Sequence, residues 1–160
     1  MGKLSLKNLG TGYVLFCVLF LCNFVIALAV IGLYATDVQR GNEERTGVNS
    51  KWVYGVVVGA LSAVTCLVWF VPKLIGLAGI LAPIWNLIVF ILYISLFGVF
   101  AAMFIKEDPK GDGFVMRMKN AVWVDLAGAI LWFFTAIVSL VYWTRHRDLG
   151  VTRFTGRARV

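Results

Sequence analysis

One carboxylate, Asp125, stands inside an almost wholly apolar run, in the stretch RMKNAVWVDLAGAILWFF from Arg117 to Phe134. An acid in such a segment is costly to bury without a partner, and it is therefore a candidate for ion or proton handling. A helix cap at Asn120 would put Asp125 about 7 Å from the helix start, where the helix N-terminus favours negative charge. Three side chains expected at the same level offer a phenol, a cation and an indole: Tyr34, Lys51 and Trp52. The pattern favours a polar clasp between the fourth helix and the first two, and an ion or proton role is the alternative.

The residue sets that enzymes and cofactor sites use are missing from the sequence. The single histidine, His146, lies in the charged stretch TRHRD, so neither a bis-histidine haem site nor a histidine metal site can be assembled within one chain. The hydroxyl residues of the apolar stretches have no base near them in sequence, and we expect them to bond to backbone or to neighbouring helices: Ser62, Thr65, Ser95, Thr135 and Ser139. Asn23 and Asn86 are expected to make interhelical hydrogen bonds. The sequence predicts a protein that is not an enzyme and holds no cofactor or metal.

The apolar residues arrive in four long blocks, in a chain of 160 residues of which 61% are hydrophobic and only 14% are charged. The blocks cover about residues 13–35, 52–71, 77–105 and 121–143. Each reaches the length of about 20 residues that a helix needs to cross the hydrocarbon layer, and none alternates as a barrel strand would. The sequence predicts an all-α integral membrane protein, a four-transmembrane-helix antiparallel bundle over residues 13–143. A short segment, 1–12, precedes the bundle, and a basic tail, 144–160, follows it.

Positive charge favours a cytosolic location for both ends of the chain. With four spans, eight of the fifteen Lys and Arg residues fall on the side of the termini and seven on the other, where acidic residues nearly neutralise them. The side with the excess of Lys and Arg is expected to be cytosolic. The tail arginines are expected either to contact anionic lipid or only to fix the topology: Arg145, Arg147, Arg153, Arg157 and Arg159.

Small residues recur at four-residue spacing within the blocks. Such spacing brings them to one helix face, where neighbouring backbones can approach closely. The candidate packing positions are Gly55, Gly59 and Ala63 in the second block, Gly98 and Ala102 in the third, and Gly128 in the fourth. The pattern favours contacts within a tight bundle more strongly than it favours dimerisation.

Three stretches resemble a known family. They are RMKNAVWVDLAGAILWF in the fourth block, WNLIVFILYISLFGVFAAMFI in the third, and YATDVQRGN followed by KWVYGVVVGALSAVTCLVWFVP leading into and through the second. Over roughly residues 12–143 the chain resembles the fungal small tetraspans of the MARVEL, or membrane-associating, domain family. The family is expected to have an acid after the tryptophan of the third helix, and this chain has Asn86 there. The resemblance therefore implies no role that depends on charge at that position.

The resemblance implies a membrane-associating module with cytosolic termini, in the plasma membrane or in secretory vesicle membranes. Family members act in membrane apposition, vesicle traffic and lateral membrane domains, including the fungal eisosome compartments. The expected partners are membrane lipids and either further copies of the chain or other membrane proteins, with no nucleic acid. Two alternatives stay open: a small transporter or channel that uses Asp125, and an accessory subunit of a larger membrane complex.

Overall fold

The computed structural model describes residues 6–43, 50–70, 79–108 and 113–154, with side chains described over 14–39, 50–70, 79–108 and 113–144. Four helices make up these parts of the chain: α1 over Leu6–Glu43, α2 over Ser50–Trp69, α3 over Leu81–Phe104 and α4 over Gly113–Phe154. No strand occurs among the described residues. Each helix contains a segment long and apolar enough to cross a membrane. The prediction of an all-helical protein with four such helices is confirmed.

The first and last helices extend well beyond their apolar blocks. Helix α1 continues to Glu43 and α4 begins at Gly113, whereas the blocks end near residue 35 and begin near residue 121. Hydropathy marks the part of a helix that suits lipid, and a helix can continue into polar sequence that has no proline to stop it. The expected cap at Asn120 is therefore wrong. Asp125 lies about 18 Å, twelve residues, from the start of α4, too far for the helix N-terminus to stabilise it.

The start of α3 is fixed by local backbone chemistry. Gly79 has φ +52°, a left-handed conformation that glycine adopts without the steric cost of a Cβ. Helix α3 begins two residues later, at Leu81, rather than near residue 77 as the apolar block suggested. Pro83 lies in its first turn, where the missing N–H breaks no helical hydrogen bond.

Apolar side chains cover the outside of the molecule as well as its core. Val30, Leu96 and Phe100 are fully buried, whereas Leu81 is 67% exposed and Trp123 is 60% exposed. A water-soluble protein would place polar side chains on so large an outer surface. The outer surface therefore suits contact with lipid.

The four helices pack on one another to different extents. Helix α3 packs most extensively on α4 and α1 on α2, α1 also packs on α4, and the contact between α2 and α3 is the smallest. One end of the molecule is filled by rings from all four helices, with centroids 4.6–6.2 Å apart. These rings belong to Tyr34, Trp52, Phe100, Phe104 and Phe114. This aromatic cluster packs the four helices against one another.

Candidate functional site

Polar side chains line one buried face of α4. Asp125, Trp132, Thr135 and Ser139 are separated by seven, three and four residues, and each is at most 5% exposed. Residues at these spacings share one face of an α-helix. We call these four residues, together with the side chains that they bond on the other helices, the polar column.

Asp125 is bonded to α1. The Tyr34 hydroxyl donates a hydrogen bond to Asp125 Oδ2 at 2.5 Å, and both residues are fully buried. Asp125 Oδ1 has no hydrogen-bond partner among the described residues. Lys51, expected beside Asp125, donates to Met103 Sδ at 3.1 Å. The partner that the structure gives to this carboxyl is thus a phenol from the C-terminal half of α1.

The middle of the polar column joins α4 to α2 across the core. Trp132 Nε1 donates to Ser62 Oγ at 3.1 Å. The Tyr93 hydroxyl lies near both groups but makes no hydrogen bond within the described part of the chain. The sequence predicts a hydrogen-bond partner for Ser62 but no polar role for Trp132. The one signal that could have found Trp132 is its position seven residues after Asp125, on the same helix face.

The far end of the polar column joins α4 to α1 and α3 through two amides. Asn23 Nδ2 donates to Thr135 Oγ1 at 2.9 Å and to the Leu19 carbonyl at 3.0 Å. Asn86 Nδ2 donates to Ser139 Oγ at 2.7 Å. The Oδ1 atoms of both amides lack hydrogen-bond partners among the described residues. Both asparagines thus form the interhelical bonds that their positions in apolar blocks suggested.

An ion pair lies beyond Asp125, toward the start of α4. An Arg117 guanidinium N–H donates to Asp37 Oδ1, and the guanidinium carbon lies 5.7 Å from the centre of the Phe114 ring. The Asp37 side chain is 4% exposed and the Arg117 side chain 28%. Both residues lie outside the apolar blocks, which end near residue 35 and begin again near residue 121. Because α1 and α4 extend into those loops, the two side chains meet between helices.

Four of the predicted small residues pack within the chain. A Cβ placed on Gly55 would lie 2.6 Å from Tyr34 Cδ2, and one on Gly59 would lie 3.2 Å from the Ala27 carbonyl oxygen. A Cβ on Gly128 would lie 2.5 Å from Tyr93 Cε1. Ala63 is also buried. At these positions the absence of a larger side chain lets neighbouring helices approach closely.

Gly98 and Ala102 do not share this packing. Both are exposed on the outer side of α3, and a Cβ on Gly98 would meet no atom within 4 Å. Packing between helices of the described chain therefore does not explain why Gly98 and Ala102 are small.

The arginines predicted to contact anionic lipid fall outside the described side chains. Arg145, Arg147 and Arg153 belong to the last part of α4, whose side chains are not described. Arg157 and Arg159 lie outside the described residues altogether. A role in lipid contact stays a prediction for all five.

The described residues contain no group of three or more His, Cys, Asp or Glu side chains that could hold a metal ion. The chemistry available in the polar column is that of one carboxyl among hydroxyl, indole and amide groups. Comparison with protein-family models, with curated proteins and with solved structures finds no match to this chain. The fold and the site together define the class: an all-helical protein with four helices suited to a membrane and hydrogen-bonded through a shared polar core.

Proposed function

We propose that this chain is a non-enzymatic membrane-organising protein of the MARVEL type, which forms membrane domains by associating with further copies, partner proteins and lipids. Membrane apposition and vesicle traffic are the processes in which it would act, at the plasma membrane or the secretory vesicle membrane. The proposal of a MARVEL-type protein is based on the sequence resemblance, and the polar column gives it physical support. Each of its four residues on α4 makes a hydrogen bond to another helix, as expected of a protein whose core is built for packing.

The proposed arrangement is an antiparallel bundle with both termini in the cytosol. Two contact pairs between α1 and α4 support it: Phe16 with Tyr142, with ring centroids 5.4 Å apart, and Tyr34 with Asp125. A position early in α1 is thus matched with one late in α4, and the reverse. Protease applied to sealed right-side-out vesicles tests the orientation. Tags at both termini should be protected, and a tag in the loop after α1 should be cut.

The main support for self-association is that Gly98 and Ala102, four residues apart on α3, both face outward. In lipid, small residues at this spacing let a second helix approach closely, and the gain comes from packing rather than from hydrophobic burial. A second copy of the chain is the occupant that we propose for this face.

Crosslinking in native membranes, followed by mass measurement in lipid particles, tests the association. Gly98→Leu should shift the wild-type oligomer toward monomer. Gly32→Leu is the matched control, because Gly32 is also an exposed helical glycine with no atom within 4 Å of an added Cβ. The proposal would be contradicted if the wild-type protein were found only as a monomer and if deleting the protein changed neither the lipid nor the partner distribution of the membrane. A fixed stoichiometry with an unrelated protein would instead identify an accessory subunit.

A second candidate, a small transporter or channel, is favoured by one observation. Asp125 is fully buried, lies far from the start of α4, and has one oxygen without a partner among the described residues. Flux measured in reconstituted vesicles separates the two functions. Asp125→Asn should abolish flux in a transporter, whereas in a packing protein it should change only the free energy of unfolding.

A further inference from the structure

The four helices form two closely packed pairs, α1 with α2 and α3 with α4. In each pair a glycine lets the helices approach. A Cβ on Gly55 of α2 would lie 2.6 Å from the Tyr34 ring of α1, and one on Gly128 of α4 would lie 2.5 Å from the Tyr93 ring of α3. In lipid, helices associate through close packing of this kind. Contact between backbone and ring thus stabilises each pair internally.

The two helix pairs are joined to each other by hydrogen bonds as well as by apolar contacts. Helix α1 packs broadly on α4, and Trp132 Nε1 of α4 donates across the core to Ser62 of α2. When two apolar surfaces part in a membrane, lipid covers them without loss of hydrophobic burial, but lipid cannot replace a hydrogen bond. The free energy that keeps the two pairs together therefore depends strongly on the bonds between them.

The side of the molecule formed by α2 and α3 is the most loosely packed part of this interface. The contact between these two helices is the smallest, and a hollow of about 540 Å³ lies there between α2 and Trp85. Hydrogen bonds span this side, among them Trp85 Nε1 to Thr65 Oγ1 at 3.0 Å and the Tyr54 hydroxyl to the Leu92 carbonyl at 3.2 Å. Atoms that line a hollow have few partners, so little dispersion energy opposes separation of α2 from α3.

We propose that the two helix pairs part reversibly between α2 and α3, with the broad contact of α1 on α4 as the hinge. Opening breaks the bond from Trp132 to Ser62 and the bonds between α2 and α3, while each pair keeps its own packing. The inner face of α2 then becomes accessible without unfolding of any helix. This change goes beyond the proposed function, and it depends on the membrane-spanning arrangement but not on self-association.

Cys66 is a natural probe of this opening. Its side chain is fully buried on α2, four residues after Ser62, and lies near Tyr93 of the other helix pair. It is three residues from the end of α2, where a thiol reagent can reach it once the pairs part. Cys17→Ser and Cys22→Ser remove the other two cysteines. If opening and closing are fast relative to modification, the rate of modification measures the population of the open state.

The test is the rate at which methyl methanethiosulfonate modifies Cys66 in the full chain in lipid nanodiscs, followed by mass spectrometry. Ser62→Ala removes the acceptor for Trp132 and should speed modification by about three- to twentyfold, the range for one hydrogen bond between helices in a membrane. Ser139→Ala is the matched control, because Ser139 is also a buried serine, but it accepts from Asn86 within the second helix pair. It should leave the rate unchanged.

Tyr54→Phe separates opening of the interface from fraying at the end of α2. Tyr54 lies twelve residues before Cys66, about 18 Å along the helix, so it does not affect fraying of the last turn. Loss of its bond to the Leu92 carbonyl should nevertheless speed modification of Cys66 by about threefold, the average effect of such bonds. Modification that does not respond to Tyr54→Phe would overturn the proposal, whatever the effect of Ser62→Ala.

An equal increase for Ser62→Ala and Ser139→Ala would also overturn the proposal, since Cys66 would then be reached only through unfolding of the whole chain. If Ser62→Ala does not fold, the comparison of Tyr54→Phe with Ser139→Ala still decides the question, because only the first should speed modification. Oligomeric state and topology are measured by separate experiments, so failure here leaves the proposed function intact.

Discussion

The Tyr34 hydroxyl lies 2.5 Å from Asp125 Oδ2 and joins the last turns of the span in α1 to the interior of α4. The Tyr34 ring also packs on the backbone of Gly55 in α2 and on Phe100 in α3, with ring centroids 4.6 Å apart in the second case. One phenol thus contacts three helices besides its own. The stability of this junction should depend on its hydroxyl as well as on its ring.

Tyr34→Phe should destabilise the protein by about 1–3 kcal/mol, because it removes the hydrogen bond and leaves a buried carboxyl without its donor. Tyr54→Phe is the matched control, since Tyr54 donates to the Leu92 carbonyl at 3.2 Å from a partly exposed site. Its cost should be smaller. Denaturant unfolding in detergent micelles measures both. A cost for Tyr34→Phe no larger than that for Tyr54→Phe would show that the Tyr34–Asp125 bond contributes little.

Gly128→Ala should destabilise the protein by about 1–3 kcal/mol, the range for overpacking a core. The added Cβ would lie 2.5 Å from Cε1 of Tyr93, which is fully buried and has little room to move. Gly32→Ala is the control, because its Cβ would meet no atom within 4 Å. That change should be neutral or stabilising by up to about 1 kcal/mol through helix propensity. Equal unfolding free energies for the two variants would contradict the close contact between α3 and α4.

The number of helices could be predicted from the sequence, but the ends of α1 and α4 could not. Four apolar blocks specify four spans, since lipid demands length and apolar character. Where a helix stops in water is marked only by weaker signals, such as capping residues, glycine and proline. Because α1 and α4 extend beyond their apolar blocks, Asp37 and Arg117 meet between helices, and Asp125 lies far from the start of α4. For this reason Asp125 does not lie close to a helix cap, as its place in the apolar block suggested.

The residues of the polar column could largely be singled out from sequence, but their partners could not. A polar residue in an apolar block must find a bond, so Asp125, Asn23 and Asn86 stand out. The partner depends on how each helix is rotated and offset relative to its neighbours. Trp132 shows the difficulty, because its large apolar ring hides an indole N–H that becomes important only where Ser62 faces it.

The Asp37–Arg117 pair should respond unequally to removal of its two members. Arg117→Met leaves the nearly buried carboxylate of Asp37 without this cation, whereas Asp37→Asn leaves an arginine that still reaches solvent. Because Arg117 is partly exposed, solvent screens the pair, and its loss should cost between about 1 kcal/mol, as for exposed pairs, and about 3 kcal/mol, as for buried ones. Arg117→Met should be the more damaging change in denaturant unfolding. The reverse order would indicate that solvent already satisfies Asp37.

The two hydrogen bonds that asparagine side chains donate at the far end of the polar column should contribute unequally to stability. Ser139→Ala removes the acceptor that the structure shows for Asn86 Nδ2, so a buried amide loses its bond to α4. Thr135→Val removes the acceptor for Asn23 while preserving the side-chain shape, and Asn23 keeps its bond to the Leu19 carbonyl. Interhelical hydrogen bonds in membranes contribute about 0.6 kcal/mol on average and up to about 1.7 kcal/mol. We therefore expect Ser139→Ala to cost near the upper value and Thr135→Val near the average, in denaturant unfolding at constant detergent.

Double variants with Asn86→Ala and Asn23→Ala provide the coupling energy of each pair, which should vanish for a bond that is absent in solution. A larger coupling for Asn23 with Thr135 than for Asn86 with Ser139 would mean that the local bond to Leu19 does not compensate, and that α1 rather than α3 depends more on the polar column.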